Sequence, residues 1–193
     1  MPYGLLTPTD VQVLEDGLRL AMKTFPGSIR VVEIGVCYGD TSRGIRTFLE
    51  THGRELDYCG FDNQRDRPID PPFPGATVHL GDSAETYLLA PSGIHFLLID
   101  GCHCANHVML DFLNFGDRVV PHGLVFFHDV NPKAQGKMDH QGHGPRHVDF
   151  GTATREALRK LGLFPINSAA WGIVNAKWDD QDWGGALLLG RFP

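Results

Sequence analysis

At 193 residues, with 42% hydrophobic and 21% charged side chains, the chain has the size and composition of one globular domain spanning 1–193. The net charge of −6, with basic residues scattered along the sequence, argues against a duplex nucleic-acid partner, which requires a basic face. Apolar runs are strand-length, far below the ~20 residues that span a bilayer; the first ten residues lack the charge and apolar stretch of a signal peptide, so a cytoplasmic location is expected.

Thr7-Pro8-Thr9-Asp10 opens the first helix, with Thr7 as N-cap, proline in the first helical position and an acid three residues after the cap. The helix is expected to run to about Thr24, with Val11, Leu14, Leu18 and Met22 on one side. The β-rich run Ile29–Ile34 is the first strand, followed by a glycine-bearing loop and a helix over about Thr41–Thr51. Leu56–Phe61 and Ala76–Leu80 read as strands, a short helix covers Ser83–Leu89, and Ile94–Ile99 is the fourth strand. A helix over roughly Ala105–Val119 leads to a turn at Pro121-His122-Gly123 and a fifth strand, Leu124–Phe127. Residues 131–148 have no periodicity and read as a long loop or lid. A helix near Thr152–Leu161 precedes two strands, about Ser168–Asn175 and Gly185–Leu189, expected to pair antiparallel. Strands alternating with helices specify an α/β, doubly wound, mostly parallel sheet.

In such sheets ligands bind beyond the carboxyl ends of the strands. Here those ends carry Glu33 and Gly35, Asp62, Asp82, Asp100 and Asp129. Acids in these places can be helix N-caps, but five in series suggest a polar site. In Glu33-Ile34-Gly35-Val36-Cys37-Tyr38-Gly39-Asp40-Thr41-Ser42, the two glycines allow a tight turn and a close approach to a ligand. Neither the dinucleotide GxGxxG nor the phosphate-loop pattern is present. Glu33 would repel a diphosphate but welcome a sulfonium and an amino group, which points to adenosylmethionine. Asp62 can accept both ribose hydroxyls, and Asp82 either accepts the adenine amino group or only caps a helix.

Asp100 and Asp129 end adjacent strands, where two unpaired anions would repel. Magnesium or another divalent cation would remove that conflict, with Asn131 or His128 completing its shell. His103, three residues beyond Asp100, is the candidate base that takes a proton from a substrate hydroxyl, with His107 as a fallback. His140, His143 and His147 lie in the lid. The cysteines are Cys37, Cys59, Cys102 and Cys104. Cys102-His103-Cys104 hints at zinc, but consecutive side chains diverge and no second ligand cluster follows, so zinc is not expected there.

The stretches VVEIGVCYGDTS, GFDNQ, GDSAE, LLIDGCHCANHVMLDF and GLVFFHDV resemble class I methyltransferases of the group that includes macrocin O-methyltransferase and cephalosporin hydroxylase-associated enzymes. The resemblance covers about residues 30–130, and IDGCH followed by Asp111 is its most specific part. It implies a Rossmann-like seven-stranded sheet of order 3-2-1-4-5-7-6, S-adenosylmethionine as methyl donor, often Mg2+, and transfer to a sugar or natural-product hydroxyl. The cofactor set it implies is Glu33, Gly35, Val36, Tyr38, Gly39, Thr41, Ser42, Asp62, Asn63, Asp82, Ser83, Asp100 and His103. His103 and Asp100 would be catalytic, and Asp100, Asp129 and Asn131 would hold the metal. Cys37 departs from the broader motif, which has glycine there. The expected partner is a small-molecule acceptor, with neither nucleic acid nor membrane and with a homodimer left open. A metal-free N-methyltransferase and a non-catalytic adenosylmethionine-binding protein are the alternatives.

Overall fold

The computed structural model describes residues 3–4, 6–63, 71–131, 137–138, 148–163, 168–178 and 185–193. Helix α1 (Pro8–Thr24) starts on a complete capping box, Thr7 Oγ1 receiving the Asp10 amide and the Asp10 carboxylate receiving the Thr7 amide. Its buried side is Val13, Leu14, Gly17, Leu18 and Ala21, so Val11 and Met22 stand at the margin of that face. After it come β1 (Ile29–Ile34), α2 (Asp40–Thr51), β2 (Leu56–Asp62), β3 (Thr77–Leu80) and α3 (Ser83–Thr86) with a 3-10 turn at Tyr87–Leu89. The chain continues with β4 (Ile94–Ile99), α4 (Ala105–Gly116), β5 (Val119–Phe127), α5 (Phe150–Lys160), β6 (Trp171–Lys177) and β7 (Ala186–Arg191).

The seven strands form one sheet in the order 3-2-1-4-5-7-6. Strands β1 to β5 pair in parallel, and β7 enters antiparallel between β5 and β6. The strand order reverses between β1 and β4, so the crevice above them is where a ligand is expected in this architecture. Helices cover both faces, which is why the central strands read as nearly continuous apolar runs. Along β1, Val31 packs into a core with Leu14, Leu18 and Phe96, while Val32 packs on the opposite face with Ile99, Phe115 and Phe127.

Two sequence expectations are corrected. Helix α4 ends at Gly116 rather than Val119, because Val119 pairs with Ile94 of β4. Pro121-His122-Gly123 does not end a segment. It forms an irregularity inside β5, where the register shifts between Ile94 and Phe96 and His122 takes φ +64°; Pro121 has no N–H to give to a ladder. Within the expected lid, Lys137–Met138 and Val148–Asp149 pair as a small antiparallel ribbon, and His140, His143 and His147 lie outside the described residues. Among the described residues no helix is long and apolar enough to cross a membrane.

Candidate active site

The loop from β1 to α2 is shaped by its own neighbours. Gly35 has φ +92°, and a Cβ on it would lie 2.1 Å from the backbone oxygen of Asp100. Gly39, the N-cap of α2, has φ +72°, and its Cβ would meet Pro72 at 2.6 Å. Cys37 takes φ +50°, the left-handed conformation for which glycine is the ordinary residue. The Cys37 amide donates to Asp62 Oδ2 at 2.7 Å, and this bond fastens the loop to the end of β2. Asp62 therefore holds the loop with one carboxylate oxygen, where the sequence suggested both for a ligand. Val36 is buried, Tyr38 and Asn63 are exposed, and Thr41 Oγ1 reaches the Tyr3 carbonyl at 3.5 Å.

Glu33 is 1% exposed at the centre of the sheet. Ser42 and Tyr58 both donate to its Oε2, the tyrosine at 2.5 Å, while Oε1 has no hydrogen-bond partner. Burial pushes the Glu33 carboxyl up to about 8; the charges of Asp100 and Asp62 add to this, against the two hydrogen bonds. Ser42 is thus committed to Glu33, and neither Ser42 nor Tyr58 is visible to local sequence pattern as a partner of that acid.

At the ends of β4 and β5 a run of ionisable side chains extends inward. His103 Nδ1 lies 3.0 Å from Asp129 Oδ2. His128 Nδ1 lies 2.9 Å from Asp100 Oδ1 and 3.4 Å from Asp129 Oδ2, and its Nε2 lies 3.0 Å from Asp10 Oδ2. Burial disfavours a charged His128, but the facing carboxylates of Asp100, Asp129 and Asp10 outweigh it and hold the ring as imidazolium. Burial likewise works to raise Asp129 and Asp10, and the His128 charge and hydrogen bonds overcome it, so both carboxyls lie below their usual range. The repulsion foreseen between Asp100 and Asp129 is therefore relieved in part by His128. Both ring nitrogens of His128 face carboxylates, and the donor atoms that converge with those of Asp100 and Asp129 are those of His103. Asp129 itself has φ +53°, a backbone cost of the kind that persists where the side chain is held in place.

Asp100, His103 and Asp129 bring their ligand atoms within 4.8 Å of one another, and Asp129 Oδ1 is buried with no hydrogen-bond partner. His103 thus joins the two acids, while Asn131, two residues on, is fully buried near Gly185. Asp10 had shown itself only as a capping residue; its reach to His128 and to the Gly185 amide at 2.8 Å depends on chain segments far apart in sequence. Asp82 caps α3, taking the Ala84 amide at 2.9 Å, and Ser83 Oγ donates to Asp111 Oδ1 at 2.5 Å. Burial raises the Asp111 carboxyl to about 7. His107 does not stand in for His103: Nδ1 faces the Cys104 sulfur at 2.8 Å and Nε2 faces Asp82 at 3.7 Å.

The family model described as a methyltransferase domain matches residues 32–130, the stretch that carries the loop and all the strand-end acids through Asp129. This chain belongs to that family of methyltransferase domains. No sequence among the curated proteins matches it. Among solved structures, the methyltransferase is similar to an O-methyltransferase from Bacillus cereus in complex with SAH, with TM-score 0.65, 12% identity, and coverage of 96% of this chain and 82% of that one. The O-methyltransferase NovP matches with TM-score 0.65 and 13% identity over 99% of this chain and 83% of NovP. MycE methyltransferase, from the mycinamycin biosynthetic pathway and in complex with Mg, SAH and mycinamycin VI, gives TM-score 0.57 and 18% identity over 86% of this chain and 45% of MycE. These likenesses give the methyltransferase the class I fold that its strand order displays.

Proposed function

We propose that this methyltransferase uses S-adenosylmethionine to methylate a hydroxyl oxygen of a small molecule in the cytoplasm, with a divalent cation such as Mg2+ held by Asp100 and Asp129. The observation that carries the reading is the contact chain Asp10–His128–Asp129–His103, with Asp100 beside it, at the ends of β4 and β5. The net charge of −6 favours a small acceptor over a nucleic acid.

The side chains fit the cofactor. Glu33 Oε1, buried and without a partner, is an acceptor suited to the ammonium group of the methionine moiety. Asp62, braced by the Cys37 amide, is the acid for the ribose, with Asp82 and Ser83 on the adenine side. They also fit the metal: two carboxylates suit Mg2+, Asp129 Oδ1 lacks a partner, and Asn131 is a further oxygen donor on the same segment. A cation there would lower the pKa of an acceptor hydroxyl bound beside it.

Adenosylmethionine supplies the methyl group on a sulfonium. Asp129 Oδ2 accepts the Nδ1 proton of His103, which leaves Nε2 as the basic nitrogen. Nε2 takes the hydroxyl proton as the oxygen attacks the methyl carbon. His128, charged between Asp10 and Asp100, keeps the two strand-end acids in place, and positioning does the remaining work of a direct displacement.

Asp100→Asn should abolish methyl transfer in an acceptor screen while calorimetry still detects adenosylhomocysteine. Loss of cofactor binding in that variant would assign Asp100 to the cofactor instead of the metal. His103→Gln should lower kcat by about 10²–10⁴-fold with the cofactor Kd unchanged; an unchanged kcat would remove His103 from the mechanism. One observation favours a metal-free form of the same reaction: the His128 imidazolium already places a positive charge between Asp100 and Asp129. Methyl transfer that continues in excess chelator would decide for it.

A further inference from the structure

The loop from β4 to α4 carries a second donor set, turned away from the acids just described. Cys102 and Cys104 flank His103, and Cys104 is extended, with φ −85° and ψ 142°. Side chains two apart in extended backbone share a face while the one between points opposite. His103 accordingly meets Asp129, and the two sulfurs converge on the other side at 3.4 Å. Consecutive side chains diverge, as expected, while the two cysteines, two positions apart, come together.

Cys104 is the N-cap of α4. Its sulfur meets His107 Nδ1, in the first turn of the helix, at 2.8 Å. The three ligand atoms of Cys102, Cys104 and His107 lie within 4.8 Å of one another. Tetrahedral Zn2+ with Zn–S near 2.3 Å and Zn–N near 2.0 Å places ligand atoms roughly 3.5–3.8 Å apart. The observed separations of 3.4 and 2.8 Å need to open by less than about 1 Å.

Two acids stand near this donor set. Asp82 Oδ2 lies 3.7 Å from His107 Nε2, the outer carboxylate that commonly orients a ligating histidine. Asp111, one turn beyond His107, is 1% exposed, and its Oδ2 has no hydrogen-bond partner. That oxygen stands beside Gly101, at 3.7 Å from where a Cβ would be, next to the segment that bears the thiols. Two sulfurs and an imidazole form a soft donor set, suited to zinc and not to magnesium.

We propose that Cys102, Cys104 and His107 bind one Zn2+ ion, in a site separate from Asp100 and Asp129. The ion would clamp Gly101–Cys104 to the start of α4 and so fix the strand-to-helix segment that carries His103. The site does not rest on the methyl-transfer reading.

The test is a Co2+ titration of the full, metal-stripped chain kept reduced with a phosphine, read by absorption. A thiolate-to-cobalt charge-transfer band should rise, saturate at one equivalent, and be displaced by Zn2+ but not by Mg2+. Cys104→Ser and His107→Ala, checked for native circular dichroism, should each weaken Co2+ binding about tenfold or more, and Asp129→Asn should leave the band in place. Absence of the band in the unaltered chain would overturn the site. So would a band that persists at full affinity in folded His107→Ala and Cys104→Ser, or one that disappears with Asp129→Asn.

Discussion

Glu33 is buried with one oxygen bonded and the other not, and burial pushes its carboxyl from 4.5 up to about 8. A folded-state value above the unfolded one means that the folded protein binds the proton more tightly. The associated stability is complete below the unfolded value and declines as pH rises through about 8. Glu33→Gln should therefore stabilise the ligand-free protein more at pH near 8 than at pH near 5, measured by urea unfolding at both. A cationic ligand group beside Glu33 favours the carboxylate and expels that proton. Adenosylhomocysteine should then bind more tightly as pH rises toward 8, by at most about tenfold per unit, with proton release seen by calorimetry in buffers of different ionisation enthalpy. In Glu33→Gln the pH dependence should vanish; a dependence that survives would place the ammonium group elsewhere.

At the scale of elements, the close approaches are made by backbone. The β1–α2 loop crosses the end of β4 so closely that Gly35 has no room for a Cβ, while Gly53, also at positive φ (+69°), has nothing within 4 Å. Gly53→Ala should cost only the left-handed penalty of about 1–2 kcal/mol, whereas Gly35→Ala should abolish native folding or cofactor binding outright, as thermal melts with and without adenosylhomocysteine would report. Asp10 joins three elements: it caps α1, meets His128 after β5 and takes the Gly185 amide ahead of β7. Asp10→Ala leaves a buried imidazolium short of a partner, which should cost about 3–5 kcal/mol in chemical denaturation. A loss below about 1 kcal/mol would mean that the ion pair is not formed in solution.

For the molecule as a whole, the last strand in sequence is not an edge strand in space. β7 lies between β5 and β6 and contributes Leu187 and Leu189 to one core and Ala186 and Leu188 to the other. A chain ending at Trp178 would lose both cores' closure and the strand that joins β6 to the main sheet, so it should show no cooperative transition in a thermal melt followed by circular dichroism. A retained sharp transition would show that β1–β5 with their helices fold alone.

Elements and site were not equally legible in the sequence. β1 and β4 could be bounded to the residue because each is a six-residue, mostly apolar and β-branched or aromatic run between turn-forming neighbours, as a parallel strand covered on both faces tends to read. The α1 cap was plain because its bonds join residues three apart. Sequence could also line up acids at strand ends, since that depends only on where each strand stops. It could not say which acids share a proton or a partner. The bond from His128 to Asp10 spans 118 positions and that from Gly185 to Asp10 spans 175, and only the order in which the strands lie beside one another brings those groups together. The pairing of Cys102 with Cys104 was likewise decided by the path of the β4–α4 loop, and the shape of β5 at Pro121 by the partner strand. Short-range chemistry and periodicity determine elements, whereas burial and charge compensation at the site are properties of the packed sheet, because they arise between segments with no local relation to each other.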